Sequence, residues 1–347
     1  MKPLLYIHIG QHRTGTTSLQ NFLASNRKVL YDKGIIYPKF LKPASSHFFA
    51  WYYGFGNRRL NDIEKSQVKD ILRSIRCDAI KNSKDILISS EILFSGIKRS
   101  KLVKIRKQFS DFDLKIICYL RRQDRYILSF YTQFLKNRKV LDMESYINKK
   151  VFRWYHSFYL PGYNWYKKLK SYSSIFGKEN LIVKPFERHQ LKDGDIITDF
   201  VNILGISRDM LVFPDKMENT SLPPEGLYIL RYLNFMMKEK ISSAEIKNGM
   251  LEISELLEKY YRRDEYQKNT FLSTKTRKKI LKRFDKTNQK IAKKFLDRDK
   301  GILFFDTNEE ECNDTLDFSQ FDHNDIIKRF VEILINQHQE IKYLKRK

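Results

Sequence analysis

The chain has 347 residues, 66 of them basic and 41 acidic, for a formal net charge of +25. Its 41% hydrophobic and 14% aromatic content supports a buried core and excludes an intrinsically disordered polyelectrolyte. The cationic surplus points to anionic company: a phosphorylated small molecule, an anionic glycan, a membrane face or nucleic acid. A host bias toward lysine, asparagine and isoleucine codons accounts for the surplus equally well.

In chain order, the apolar run Leu4 to Ile9 predicts a short buried strand, and Gly10 opens a turn. Leu19, Phe22, Leu23 and Leu30 follow at roughly helical spacing, so a helix is expected from near Thr17. Ile35-Ile36-Tyr37, before Pro38, is a short strand candidate. Further strands are expected at about 86–90, 115–120 and 181–184, separated by helical patterns that include 195–204 and a helix after Arg125. That alternation is the signature of a parallel sheet with helices on both faces. Pro223-Pro224 predicts a boundary. Beyond it the pattern is helical and charged over 224–240, 243–262, 274–298 and 323–346, with an acidic loop from Asp306 to Asp317. The fold class expected is α/β, a parallel sheet flanked by helices and, from the four-residue spacing between Gly10 and Gly15, of P-loop type, with a core over 1–222 and a helical C-terminal extension over 223–347.

No stretch reaches the length of a membrane span, and the six apolar residues before Gly10 are too short for the hydrophobic region of a signal peptide. Cys77, Cys118 and Cys312 show neither paired nor metal-type spacing. A reducing, cytoplasmic setting with no metal requirement is the expectation.

The chemistry concentrates in Gly10 to Ser18, G-Q-H-R-T-G-T-T-S. Strand, glycine-bearing loop and helix N-terminus together present backbone N–H groups and a positive dipole end to an anion. Gly10 and Gly15 have the Walker A separation, yet Thr16 stands where its lysine belongs and the cation has moved into the loop as Arg13. The strand 116–120 runs into Arg121-Arg122 rather than into an acidic metal ligand. A nucleoside-triphosphate enzyme needs both missing features.

The run His8 to Gln20, H-I-G-Q-H-R-T-G-T-T-S-L-Q, resembles the 5′-phosphosulfate loop of sulfotransferases that use 3′-phosphoadenosine 5′-phosphosulfate (PAPS), in particular bacterial carbohydrate-type members. Two further segments are similar to that family in the same order. Tyr119 to Tyr131 carries Arg121 and Ser129 eight residues apart, as in the 3′-phosphate motif, and Phe186 to Gly205 matches a strand-then-helix segment. The resemblance covers about residues 4 to 222, and Arg13 replaces the family's lysine.

The resemblance implies a bacterial enzyme with PAPS as sulfonate donor and a hydroxyl acceptor, a glycan or glycolipid. No nucleic-acid partner is expected, and peripheral membrane contact stays open. Gly10, His12, Arg13, Thr14, Gly15, Thr16, Thr17 and Ser18 are the expected 5′ contacts, Arg121 and Ser129 the 3′-phosphate contacts, and Asn219 and Ser221 a closing segment over the nucleotide. Arg13 is expected to meet charge growing on the bridging oxygen. The general base is left among Glu91, at the end of a strand, His47 and His12. His8 alternates into the sheet and reads as core. Plainer readings stand beside these: a threonine-capped turn for the loop, a helix-interior serine for Ser129, a proline-preceding turn for 219–221. A nucleotide kinase with an atypical loop and a non-catalytic polyanion-binding protein are the alternatives for the whole.

Overall fold

A computed structural model describes residues 2–95, 97–136, 164–213, 224–236 and 272–305, with scattered helical positions within 252–257 and 324–335. The boundary near 222, Asn219, Ser221 and the acidic loop at 306–317 lie outside the described residues, as do most of 243–262 and 323–346.

The elements follow from short apolar runs separated by amphipathic ones. Strands β1 (Leu4–His8), β2 (Ile35–Ile36), β3 (Asp85–Ser89), β4 (Asp113–Leu120) and β5 (Leu181–Pro185) form one sheet in the order β2-β3-β1-β4-β5. Every pairing is parallel, with Ile7 opposite Ile88 on one side and Ile116 on the other. The fold is therefore α/β, as expected, and the predicted strand positions hold to within two residues. β1, β3 and β4 are buried nearly throughout, whereas edge strand β5 alternates buried and half-buried residues. Central parallel strands are covered on both faces; of the two edge strands, β2 is buried as well and β5 is only partly so.

One face is covered by α1 (Thr16–Ser25) and α8 (Ile196–Ile203). Leu19, Phe22 and Leu23 of α1 pack with Phe200 and Val201 of α8 over Leu87, Ile117 and Tyr119. Each such fully buried side chain is worth about 1.5–3 kcal/mol relative to exposure. The remaining helices of this region are α2 (Arg27–Asp32), α3 (His47–Tyr52), α4 (Asp62–Lys81), α5 (Arg99–Gln108) and α7 (Trp165–Phe176), of which α5 packs on α7. Asn61 and Glu64 close a reciprocal capping box at the start of α4, and Asp195 caps α8 through Thr198 N at 2.8 Å. Both helices begin where the sequence supplies a short polar acceptor.

The chain groups into two compact units, 1–122 with 156–219 and 283–307, and 123–155 with 220–282 and 308–347. The sheet lies in the first. In the second, α6 (Gln123–Lys136) packs on α9 (Pro224–Met236), where Asn234 Nδ2 donates to Leu135 O at 2.8 Å. The buried Asp124 carboxylate there lies 3.5 Å from Arg277, near the start of α10 (Thr274–Phe295).

Strand order explains where a site belongs. From β1 the chain reaches the β2–β3 side of the sheet first and the β4–β5 side afterwards. The order reverses at β1, and the crevice beyond the carboxyl ends of β1 and its neighbours is the usual ligand position in such sheets.

Candidate active site

The loop from Ile9 to Gly15 rises at that reversal point. Ile9 N donates to Ile117 O and Ser90 N to His8 O, both at 3.0 Å, so the ladder holds until the glycine. Gly10 has φ 40°, and a Cβ built on it would lie 2.7 Å from Thr16 Cγ2 and 3.3 Å from His8 Nε2. Only glycine fits there. Gly15 (φ 73°) is the N-cap of α1, and no side chain caps that helix. Arg13 also sits in the left-handed region at φ 68°, which costs a non-glycine residue on the order of 1–2 kcal/mol. The loop holds Arg13 there through its carbonyl, which accepts from Arg121 Nη1 at 2.8 Å. Thr14 Oγ1 donates to Gln11 O at 2.6 Å, so its hydroxyl proton shapes the loop and only its backbone N–H faces other duties. Thr16 is buried and Thr17 exposed at the first turn of α1.

Arg121 follows β4 directly. Its N–H donates to Gln11 Oε1 at 2.7 Å and its guanidinium lies 5.9 Å from the Phe186 ring centroid. Arg13 and Arg121 are therefore joined through one hydrogen-bonded loop. Burial lowers the Arg13 pKa, but a guanidinium stays charged. Ser129 is a buried residue of α6 and belongs to the second unit.

A second cluster forms around Glu91, the first residue of a one-turn 3-10 helix, Glu91–Phe94, that leaves β3. Glu91 Oε2 accepts from Gln20 Nε2 of α1 at 2.9 Å, and its Oε1 lies 3.6 Å from His47 Nε2. His47 Nδ1 meets Ser90 Oγ at 2.8 Å, so both of its ring nitrogens are engaged. Trp51 packs edge-on to the imidazole at 5.8 Å, and the Arg58 guanidinium lies over Trp51. Ser46 fastens the start of α3 to β3, its N–H donating to Ser89 O at 2.9 Å. His12 Nε2 lies 3.4 Å from Ser95 Oγ.

Burial by itself would raise the Glu91 carboxyl, but His47, His12, its own backbone N–H and Gln20 together hold it below the ordinary value. Burial lowers His47 and His12 against the pull of Glu91. The carboxylate is thus ionised and the imidazoles neutral near neutral pH. Beneath the loop, burial pushes His8 down to about 4. His8 is a core residue, as expected, with Nδ1 on Ser89 Oγ at 2.9 Å.

Sequence reasoning missed three participants. Gln20 tethers the candidate base and was visible only as part of a motif. Gln11 bridges the loop to β4. Lys168 of α7 donates to Phe94 O at 2.9 Å and sits 4.4 Å above the Phe94 ring, and burial lowers its pKa to about 7. Nothing in the local sequence marks Lys168, because its partner lies 74 residues away. Among the described residues no group of three or more His, Cys, Asp or Glu side chains is arranged to hold a metal ion. No described helix is long and apolar enough to cross a membrane.

No protein-family profile matches the chain. An uncharacterized protein of Archaeoglobus fulgidus is 27% identical over 216 residues, 60% of this chain and 53% of that protein, so the match spans about half of the relative's length. Among solved structures, the sulfotransferase from Alicyclobacillus acidocaldarius is similar over 70% of this chain and 96% of that one, with 19% identity and a TM-score of 0.41. Neither likeness assigns a role to any residue described above.

Proposed function

We propose that this chain is a sulfotransferase that moves a sulfonate group from PAPS to a hydroxyl, with a carbohydrate as the preferred acceptor class. One observation carries the reading. An uncapped, glycine-entered helix N-terminus, the Arg13 loop and Arg121 form a single hydrogen-bonded unit, and Gln20 on that same helix holds an ionised Glu91. The donor's phosphosulfate suits the loop amides and Arg13, and its 3′-phosphate suits Arg121. When bound, the donor supplies an electrophilic sulfur with a nucleotide phosphate as leaving group.

The residues divide the remaining work. Glu91 takes the proton from the attacking acceptor hydroxyl. Gln20 and His47 orient its carboxylate and keep it ionised. Arg13 and the first amides of α1 meet the negative charge that grows on the oxygen released from sulfur. The carbohydrate preference rests on the motif likeness alone. A reducing, cytoplasmic setting suits the free thiols of Cys77 and Cys118.

The test is thermal stabilisation by adenosine 3′,5′-bisphosphate against 5′-AMP and Mg·ATP. At one hundred times its Kd the bisphosphate adds about 2.7 kcal/mol to folding stability. Equal stabilisation by 5′-AMP, or a clear preference for Mg·ATP, refutes the reading.

A further inference from the structure

The loop holds one group that the roles above leave without work. Gln11 is wholly buried, and its Nε2 has no hydrogen-bond partner among the described residues. We infer that Gln11 is itself an anion ligand, its Nε2–H donating to a phosphoryl or sulfonyl oxygen seated at the start of α1 while its Oε1 holds Arg121.

The orientation of the carboxamide is settled by its other end. Arg121 N–H, the first beyond β4, points at Gln11 from 2.7 Å, and only an oxygen can accept there. Turning the amide over would set two donors against each other. Nε2 is therefore the atom left without a partner, a donor with two protons and no lone pair. A buried donor left unsatisfied costs about 1–3 kcal/mol, and only an acceptor relieves it.

Two carbonyls of the same loop do not supply that acceptor. Gln11 O is taken by Thr14 Oγ1 and Arg13 O by Arg121 Nη1. Both oxygens are thus drawn toward donors of the protein. The donors that remain are Nε2 and the amides at the start of α1, which no side chain caps. This division of donors and acceptors selects an anionic oxygen over a cation or an apolar group.

Gln11 then does two jobs with one amide plane. Its oxygen positions the residue proposed for the 3′-phosphate, and its nitrogen reads the group proposed at the 5′ end. An anion in the loop accordingly restrains Arg121 as well. This rests on the proposed function only for the identity of the nucleotide, not for the presence of an anion.

The test uses the full chain and follows the Gln11 side-chain amide in proton–nitrogen spectra, assigned by its disappearance in Gln11→Glu. Inorganic pyrophosphate and adenosine 3′,5′-bisphosphate are titrated separately. The expected result is that both Nε2 proton signals move together with the Thr16 and Thr17 backbone amides. Gln11→Glu keeps an oxygen for Arg121 N–H but replaces the donor with a repelling oxygen, so the ionised variant should bind pyrophosphate at least about tenfold more weakly. Backbone amides that move while the Gln11 signals stay fixed overturn the inference. So does wild-type affinity in Gln11→Glu, or no response of any loop signal to either ligand. Gln11 signals that respond to pyrophosphate without any preference for the bisphosphate over 5′-AMP uphold the anion ligand and count only against the sulfonate-donor reading.

Discussion

Replacing His8 tests the electrostatic argument at the floor of the loop. Its imidazole is 1% exposed, packed 5.2 Å from the Phe200 ring centroid, and its pKa falls from 6.5 to about 4 because burial disfavours the charged ring. Above pH 6.5 the ring is neutral whether the chain is folded or not. Between that value and about 4 the unfolded chain binds a proton that the folded chain refuses, so stability drains away as pH falls. At 1.36 kcal/mol per unit, going from about pH 7 to about pH 5 removes about 2 kcal/mol through this one residue. Asn in its place keeps a hydrogen-bonding atom near Ser89 Oγ but cannot titrate. Urea titrations of both proteins at the two pH values measure the effect. His12, His47 and Glu91 titrate in both, so the difference between the two pH dependences isolates His8. The variant should lose about 2 kcal/mol less than the parent on acidification. An identical loss in the two proteins refutes the burial argument.

Other outcomes follow from the same geometry. Glu91→Gln should retain binding of adenosine 3′,5′-bisphosphate while turnover falls about 10²–10⁴-fold, measured by transfer to a sugar acceptor. Because the Glu91 carboxyl is held below its ordinary value of 4.5, the acid limb of the parent's pH–rate profile should lie below that value. Gly10→Ala should destabilise the fold by about 1–3 kcal/mol and abolish nucleotide-induced stabilisation, since its Cβ meets Thr16 Cγ2 at 2.7 Å from a left-handed backbone. Lys168→Met should raise the melting temperature at neutral pH. The folded chain releases the Lys168 proton at about 7 while the unfolded chain holds it to about 10.5, so the penalty is full below 7. The gap between variant and parent should therefore close as pH rises toward 10.5, and a gap independent of pH contradicts the assignment.

Much of this molecule was legible before any tertiary structure. A run such as Leu4 to Ile9, apolar but for His8, has few alternatives to a buried strand, and Gly10 after it marks a backbone that no other residue tolerates. The same logic placed β3, β4, β5 and the start of α1 within two residues. The expectation of an anion at the loop was equally local, since it follows from a strand, two glycines and a helix start within twelve positions. His8 as a core residue came from strand alternation alone.

The neighbours of Glu91 were a different matter. His47 was a candidate only through likeness, and its sequence does not say that α3 returns it to 3.6 Å from a carboxylate 44 positions on. Gln20, Gln11 and Lys168 look like ordinary polar residues because their partners stand 71, 110 and 74 residues away. Periodicity and spacing report on contacts within an element, over a handful of positions. Hydrogen bonds between the carboxyl ends of neighbouring strands depend on sheet order, which is decided by how whole elements pack. Sequence determined the strand and the loop; tertiary structure decided which side chains would surround Glu91 and where Arg121 would be tied.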